Sequence, residues 1–75
     1  MILTDGLHLV STKSLEELHF FARHIGLPLE WFQDHRIPHY DIYGRKRQQA
    51  FINRAKIVTP RYLVRRAIRK DSISS

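Results

Sequence analysis

The stretch from Ser14 to Pro28 has both ends of a helix written into it, and that limits what the rest of the chain can become. Ser14-Leu15-Glu16-Glu17 is a capping box: the serine hydroxyl can accept from the Glu17 N–H, and the Glu17 carboxylate can reach back to the Ser14 N–H. Leu15, Leu18, Ala22 and Ile25 recur on one helical face, Gly26 supplies a left-handed stop, and Pro28 stands where a helix does not continue. Such a face needs an apolar partner. In front of it Leu7-His8-Leu9-Val10 alternates over a short run and reads as a strand, with a strand stub at Ile2-Leu3.

The second half is punctuated in the same way. Arg45 to Arg54 reads as a helix reached through Asp41 to Gly44, with a thin apolar face of Ala50, Phe51 and Ala55. Lys56-Ile57-Val58 reads as a short strand. Thr59-Pro60 starts a third helix, with threonine as N-cap and proline at the first helical position. Pro60, Leu63, Val64, Ala67 and Ile68 form its apolar stripe, and Arg61, Arg65 and Arg69 project from the other side. A strand that returns after a helical crossover predicts an α/β fold: a small parallel or mixed sheet of two to three strands with about three helices. No repeat or low-complexity tract interrupts it, so residues 1–70 are expected as one domain and residues 71–75 as a frayed tail.

Seventy-five residues lie near the lower end of what one hydrophobic core can hold together. With no cysteine, neither disulfides nor a thiolate zinc cage can supplement that core, and a cytoplasmic location fits at least as well as a secreted one. No apolar run approaches the roughly 18 residues of a membrane span, and no signal-peptide pattern opens the chain. No membrane partner is therefore expected. Self-association is the remaining common route to stability, so a homo-oligomer stays open. The net charge of +6 is concentrated in one half. Residues 1–34 hold two basic groups against five acidic ones, whereas residues 35–75 hold eleven against two. That asymmetry suits a polyanionic partner, although a solvated surface that keeps a small protein soluble accounts for charge equally well.

Between the first two helices runs Trp31-Phe32-Gln33-Asp34-His35-Arg36-Ile37-Pro38-His39-Tyr40-Asp41. It reads as a connector, without helical or strand periodicity. Connectors usually carry Gly, Ser and Asn, but this one carries side chains that stack, donate, accept and titrate, which marks it as the functional segment.

With these elements placed, the chain resembles the domain-of-unknown-function family 4031 of small bacterial and phage proteins. The residues that carry the resemblance are His8, Glu17-Leu18-His19, Ile25-Gly26, Trp31-Phe32-Gln33, His39-Tyr40-Asp41, Lys46-Arg47 and Ala50, in that order over about residues 8 to 58. Members commonly carry a longer strand and loop before the first histidine. They usually end the second helix with Gly-Ala, where this chain has Arg54-Ala55, and that departure implies a different helix stop on the same fold. The resemblance supplies a candidate site and no chemistry.

Several chemistries compete for that site. A tertiary metal site would need His8, His19, His39 and Asp41 to converge; His19 and His24, about 140° apart around a helix, form no local pair. The plainer reading has His19 hydrogen-bonded at the core border and His39 orienting its loop, so no metal is expected. Catalysis would use His39 as base, Asp41 as its orienting carboxylate and Tyr40 as donor. The chain lacks a cysteine nucleophile, a serine elbow, a Gly-rich phosphate loop and a paired-carboxylate signature, so neither a catalytic set nor a cofactor is expected. A histidine-based hydrolase or nuclease is accordingly the third reading.

Binding a phosphate-bearing small molecule needs less. Trp31 or Tyr40 could stack on a base, Gln33 and Asp41 could read its polar edge or a ribose hydroxyl, and Lys46 and Arg47 with His8 or His39 could take the phosphate. At least one of Trp31 and Phe32 is expected to be structural instead. The leading expectation is a non-catalytic binding protein for a nucleotide-like ligand. His39, Tyr40 and Asp41 would then face one concavity together with His8 or His19 and Lys46 or Arg47. The phage membership that the resemblance allows would suit sequestration of a host signalling nucleotide. The alternative is a nucleic-acid-binding protein using Arg61, Arg65, Arg66, Arg69 and Lys70 along a phosphate backbone. No recognition-helix, zinc-finger or RNA-motif signature accompanies that stripe.

Overall fold

The computed structural model describes residues 1–70; the tail expected to fray, residues 71–75, lies outside the described residues. The elements are β1 (Ile2–Thr4), β2 (His8–Ser11), α1 (Leu15–His24), a 3₁₀ turn (Leu29–Trp31), β3 (Phe32–Gln33), β4 (His39–Asp41), α2 (Arg45–Ile52), β5 (Lys56–Ile57) and α3 (Pro60–Arg66). The α/β class and three helices agree with the sequence reading. The sheet is larger than it predicts: five mixed strands in the order β3-β4-β2-β1-β5. β1 pairs antiparallel with β2 and parallel with β5, while β4 lies antiparallel between β2 and β3.

The extra strands come from the supposed connector, which folds as a β3–β4 hairpin. Phe32 faces Tyr40 and Gln33 faces His39 across it. Strands of two and three residues are too short for a periodicity window.

The sheet has helices on both sides. On one face α1 and α2 bring Leu18, Ala22, Ile25, Ala50 and Ala55 against Ile2, Leu9, Tyr40 and Ile42. On the other, α3 brings Leu63 and Ala67 against Leu3 and Val10. The third helix stops earlier than its stripe predicts. Ala67 is buried and extended, and beyond it the Ile68 N–H donates to the Ser11 carbonyl at 2.9 Å and the Lys70 N–H to the Arg36 carbonyl at 2.7 Å. Those bonds take the backbone out of the helix. Pro60 and Val64 of the expected apolar stripe are exposed, and Arg69 leaves the arginine stripe to donate to the Val64 carbonyl.

Both long helices end in the same left-handed motif. In α1 the Leu27 N–H donates to the Ala22 carbonyl and the Gly26 N–H to the Arg23 carbonyl, with Gly26 at φ 77°. In α2 the Ala55 N–H donates to Ala50 and the Arg54 N–H to Phe51, with Arg54 at φ 76°. The stop at Arg54 is therefore the ordinary one with arginine in a glycine position, not the different stop that the sequence implies. Lys46 adds a bond from its ammonium to the Ile25 carbonyl at 2.9 Å, satisfying an end of α1 where a cation is favoured.

At the other end of α1, Ser14 accepts from the Glu17 N–H at 3.0 Å, as a capping serine should. The return half of the box does not form. Ser11 Oγ takes the Ser14 N–H, leaving the Glu17 carboxylate to accept from the Ser11 hydroxyl and the Met1 ammonium. Burial alone would raise the Glu17 carboxyl, but these two bonds and the ammonium charge outweigh it and hold the group below the ordinary carboxylate range.

Two outcomes follow from these helix ends. Arg54→Gly should raise stability by about 0.5–1 kcal/mol: the left-handed penalty of about 1–2 kcal/mol is relieved, less the roughly 0.5–1 kcal/mol of extra unfolded-chain entropy that glycine brings. A lower urea midpoint would mean that Arg54 carries no strain. For Glu17, the folded chain titrates below the unfolded one, so its contribution is present above the ordinary carboxylate range and fades as pH falls through the folded value. Glu17→Gln should thus unfold at lower urea than the parent at neutral pH, with the gap closing in acid. An equal gap at both pH values would show that the carboxylate charge does not tie α1 to the sheet.

Candidate imidazole–carboxylate site

Strand register decides which polar residues meet. His8 opposes Asp41 and Gln33 opposes His39, while Tyr40 opposes both Leu9 and Phe32. Opposed residues share a face and successive residues alternate. His8, Gln33, His39 and Asp41 therefore share the α3 side, and Tyr40 and Phe32 turn toward α1. The concavity expected to unite His39, Tyr40 and Asp41 is divided in two by the sheet.

On the α1 side the polar groups are committed to one another. Tyr40 is 2% exposed, and its hydroxyl shares a 2.7 Å hydrogen bond with His19 Nδ1. His19 also meets the Phe32 ring edge-on, with centroids 4.6 Å apart. Burial pushes the Tyr40 phenol up, opposed by the positive charge of Arg23. Trp31 packs edge-on against Tyr43 and against the core, leaving its ring in a structural position. A concavity of about 820 Å³ runs along α1 past Lys13, Phe20, Arg23 and Leu29. Of the expected site residues only His19 and Tyr40 line it, and both are already paired. Lys46 is held at the end of α1 by its bond to Ile25, and Arg47 is exposed on the first turn of α2.

The α3 side is arranged differently. Asp5 accepts from the Leu7 N–H at 2.9 Å, the His8 N–H at 2.8 Å and His8 Nδ1 at 3.0 Å. Burial works to raise its carboxyl, but the bonds from the His8 ring and the two N–H groups prevail and hold it low. His39 Nδ1 lies 2.8 Å from the Ile37 carbonyl. A carbonyl only accepts, so Nδ1 carries the proton and donates. His39 Nε2 then faces Asp41 Oδ1 at 3.4 Å. The His8 and His39 rings stand nearly perpendicular with centroids 5.3 Å apart, and His35 lies 5.8 Å beyond His39. One nitrogen of each of His8 and His39 and one oxygen of Asp41 fall within 4.8 Å of one another.

Beside this cluster opens a cavity of about 410 Å³ lined by Asp5, His8, His35, Arg36 and His39 over Val10, Ile37, Pro60, Leu63 and Val64. Asp5, His35 and Arg36 are absent from the set that sequence reasoning selects. Asp5 had a signal in the Asp-Gly turn three residues before His8; His35 and Arg36 lie in the segment marked as functional, but only the hairpin brings them here. The C-terminal cations are partly engaged as well. Arg66 lies over Tyr62, Arg69 caps Val64, and Lys70 pairs with Asp34, so Arg61 and Arg65 are what α3 itself presents of the spaced stripe.

Fold and site together define a small α/β domain with two imidazoles and a carboxylate gathered on one sheet face. The chain belongs to the family described as Protein of unknown function (DUF4031), which matches residues 5–70. No curated protein and no solved structure matches it. No helix among the described residues is long and apolar enough to cross a membrane.

The division of labour across the sheet can be checked at Tyr40. Tyr40→Phe removes the His19 partner and should destabilise the fold by about 0.5–1.5 kcal/mol, the net worth of one hydrogen bond. An unchanged denaturation midpoint would mean that the pair is incidental to the α1-side core.

Proposed function

We propose that this chain is a binding domain for a small phosphate-bearing ligand of nucleotide type, with the site on the α3 side of the sheet. The observation that carries this reading is the composition of the 410 Å³ cavity. Its floor is Val10, Ile37, Leu63 and Val64, and its rim holds Arg36, His35, His8 and His39. Few polar groups converging on an apolar cleft is the usual make-up of a small-molecule site. A planar base suits such a floor, and an arginine fork beside imidazoles suits phosphate oxygens. Asp5, the acidic group of the lining, has its charge occupied by His8 and two backbone N–H groups. Relative to the sequence expectation, the aromatic stacking role of Trp31 and Tyr40 passes to this floor, and the phosphate role of Lys46 and Arg47 passes to Arg36 and His35. Sequestration of a signalling nucleotide remains one biological use of such a site.

Thermal unfolding with mononucleotides, signalling cyclic nucleotides and oligonucleotides, all with a chelator present, tests the reading, since a ligand that binds only the folded chain raises its midpoint. A mononucleotide or cyclic nucleotide should stabilise the parent. The shift should be lost in the His35→Ala/Arg36→Ala double variant and kept in Arg61→Ala/Arg65→Ala. Stabilisation by oligonucleotides alone, lost in the α3 variant, would replace this function with nucleic-acid binding.

A further inference from the structure

We propose that His8, His39 and Asp41 form a binding site for a first-row transition-metal dication of the zinc type. Three observations point to one ion at one place. First, both rings are prepared as ligands. Nδ1 of His8 is engaged by the Asp5 carboxylate, and Nδ1 of His39 donates to the Ile37 carbonyl. Metal-ligating histidines characteristically hand their second nitrogen to a carboxylate or a backbone carbonyl, which orients the ring and fixes the tautomer. One of each kind is present here, leaving Nε2 of both rings to supply the lone pair.

Second, the separations fit. Zinc–nitrogen and zinc–oxygen bonds of about 2.0–2.2 Å put neighbouring tetrahedral ligand atoms roughly 3.3–3.6 Å apart. His39 Nε2 and Asp41 Oδ1 stand at 3.4 Å. The whole set lies within 4.8 Å, so the widest gap exceeds that edge by at most about 1.5 Å. The His8 side chain, 42% exposed at the start of β2, is the most exposed member of the set and has the room to close that difference. Third, the register that sets His8 opposite Asp41, with His39 two residues before Asp41 on the same face of its strand, brings all three groups to one side of the sheet.

Two imidazoles and one carboxylate, without thiolate, favour zinc or its iron, cobalt and nickel neighbours over magnesium or calcium. Three protein ligands leave coordination positions open to the neighbouring cavity, into which His8 and His39 also face. The inference rests on ligand geometry and holds whether or not a phosphate occupies that cavity.

Zinc titration by calorimetry of the chelator-treated, dialysed chain provides the test. One zinc per chain is expected. Affinity should fall at least about tenfold in His39→Gln and in Asp41→Asn, and about 10–100-fold in Asp5→Asn, which removes only the outer partner of His8. His24→Gln, on the last turn of α1, should bind as the parent does. Because a ligand variant could misfold, the parent is also followed by nitrogen-edited NMR, where zinc should move the His8 and His39 ring resonances and leave those of His19 and His24 in place. No saturable zinc binding, binding indifferent to the His39 and Asp41 changes, or zinc-induced movement centred on His24 or His35 would each overturn the proposal. Because the nucleotide assay runs under chelator, failure there leaves this result untouched, and the reverse also holds.

Discussion

Everything on the α3 side depends on the roll of β4. This three-residue strand lies between β2 and β3, and its central residue, Tyr40, is locked into the α1-side core by burial and by the bond to His19. Once Tyr40 points one way, His39 and Asp41 must point the other. The register with β2 then sets His8 opposite Asp41. A slip of one residue would exchange the faces, burying an imidazole and a carboxylate among Leu18, Ala22 and Ile25 and exposing a phenol. Burying a charged group without partners costs several kcal/mol at least. The alternative register is therefore excluded by the same residues that make up the site.

So small a domain cannot rely on one large core, and it divides its apolar residues between two. The α1/α2 side gathers ten buried residues; the α3 side gathers four. The difference is made up by polar closure of the ends. Ser11 illustrates this: its hydroxyl accepts the Lys13 and Ser14 N–H groups and donates to Glu17, while its carbonyl accepts from Ile68. One buried serine thereby ties β2, the start of α1 and the segment after α3 together. Lys46 does similar work at the far end of α1. A lysine that looks like a phosphate ligand in sequence is a helix cap in the structure, because the carbonyl it serves belongs to a residue 21 positions earlier.

What was legible in the sequence follows from the range over which each signal acts. The Ser14 cap, the Gly26 stop, the Thr59-Pro60 start and the two apolar helical faces are local, and they fixed the helices to within a residue or two, except at the end of α3. That end is decided by Ser11 and Arg36, both remote in sequence, so no local pattern marks it. The hairpin was missed for a related reason. Its strands are two and three residues long, too short for the apolar–polar alternation by which strands are recognised. The grouping of His8, His39 and Asp41 was within reach, since the resemblance named all three. Separating Tyr40 and His19 from them required the register. Arg54-Ala55 in place of the family's Gly-Ala implies a different stop; only the φ of Arg54 shows that the backbone conformation is kept and the glycine alone is missing.

The early end of α3 is also what gives the site its rim. After Ala67 the chain no longer follows a helical path but runs back along the sheet, bonding to Ser11 on β2 and then to Arg36 in the β3–β4 turn. The Lys70–Asp34 ion pair adds a second tie to the same turn. The turn carries His35 and Arg36, which line the cavity beside His8 and His39. Had α3 continued as its stripe predicts, Ile68 and Lys70 would be helical, and neither N–H would be available to those carbonyls. The turn would then lose its attachment to β2, and its two cations would have no fixed position relative to the imidazoles. A helix of seven residues with an extended tail therefore contributes more to the site than the longer helix its sequence suggests.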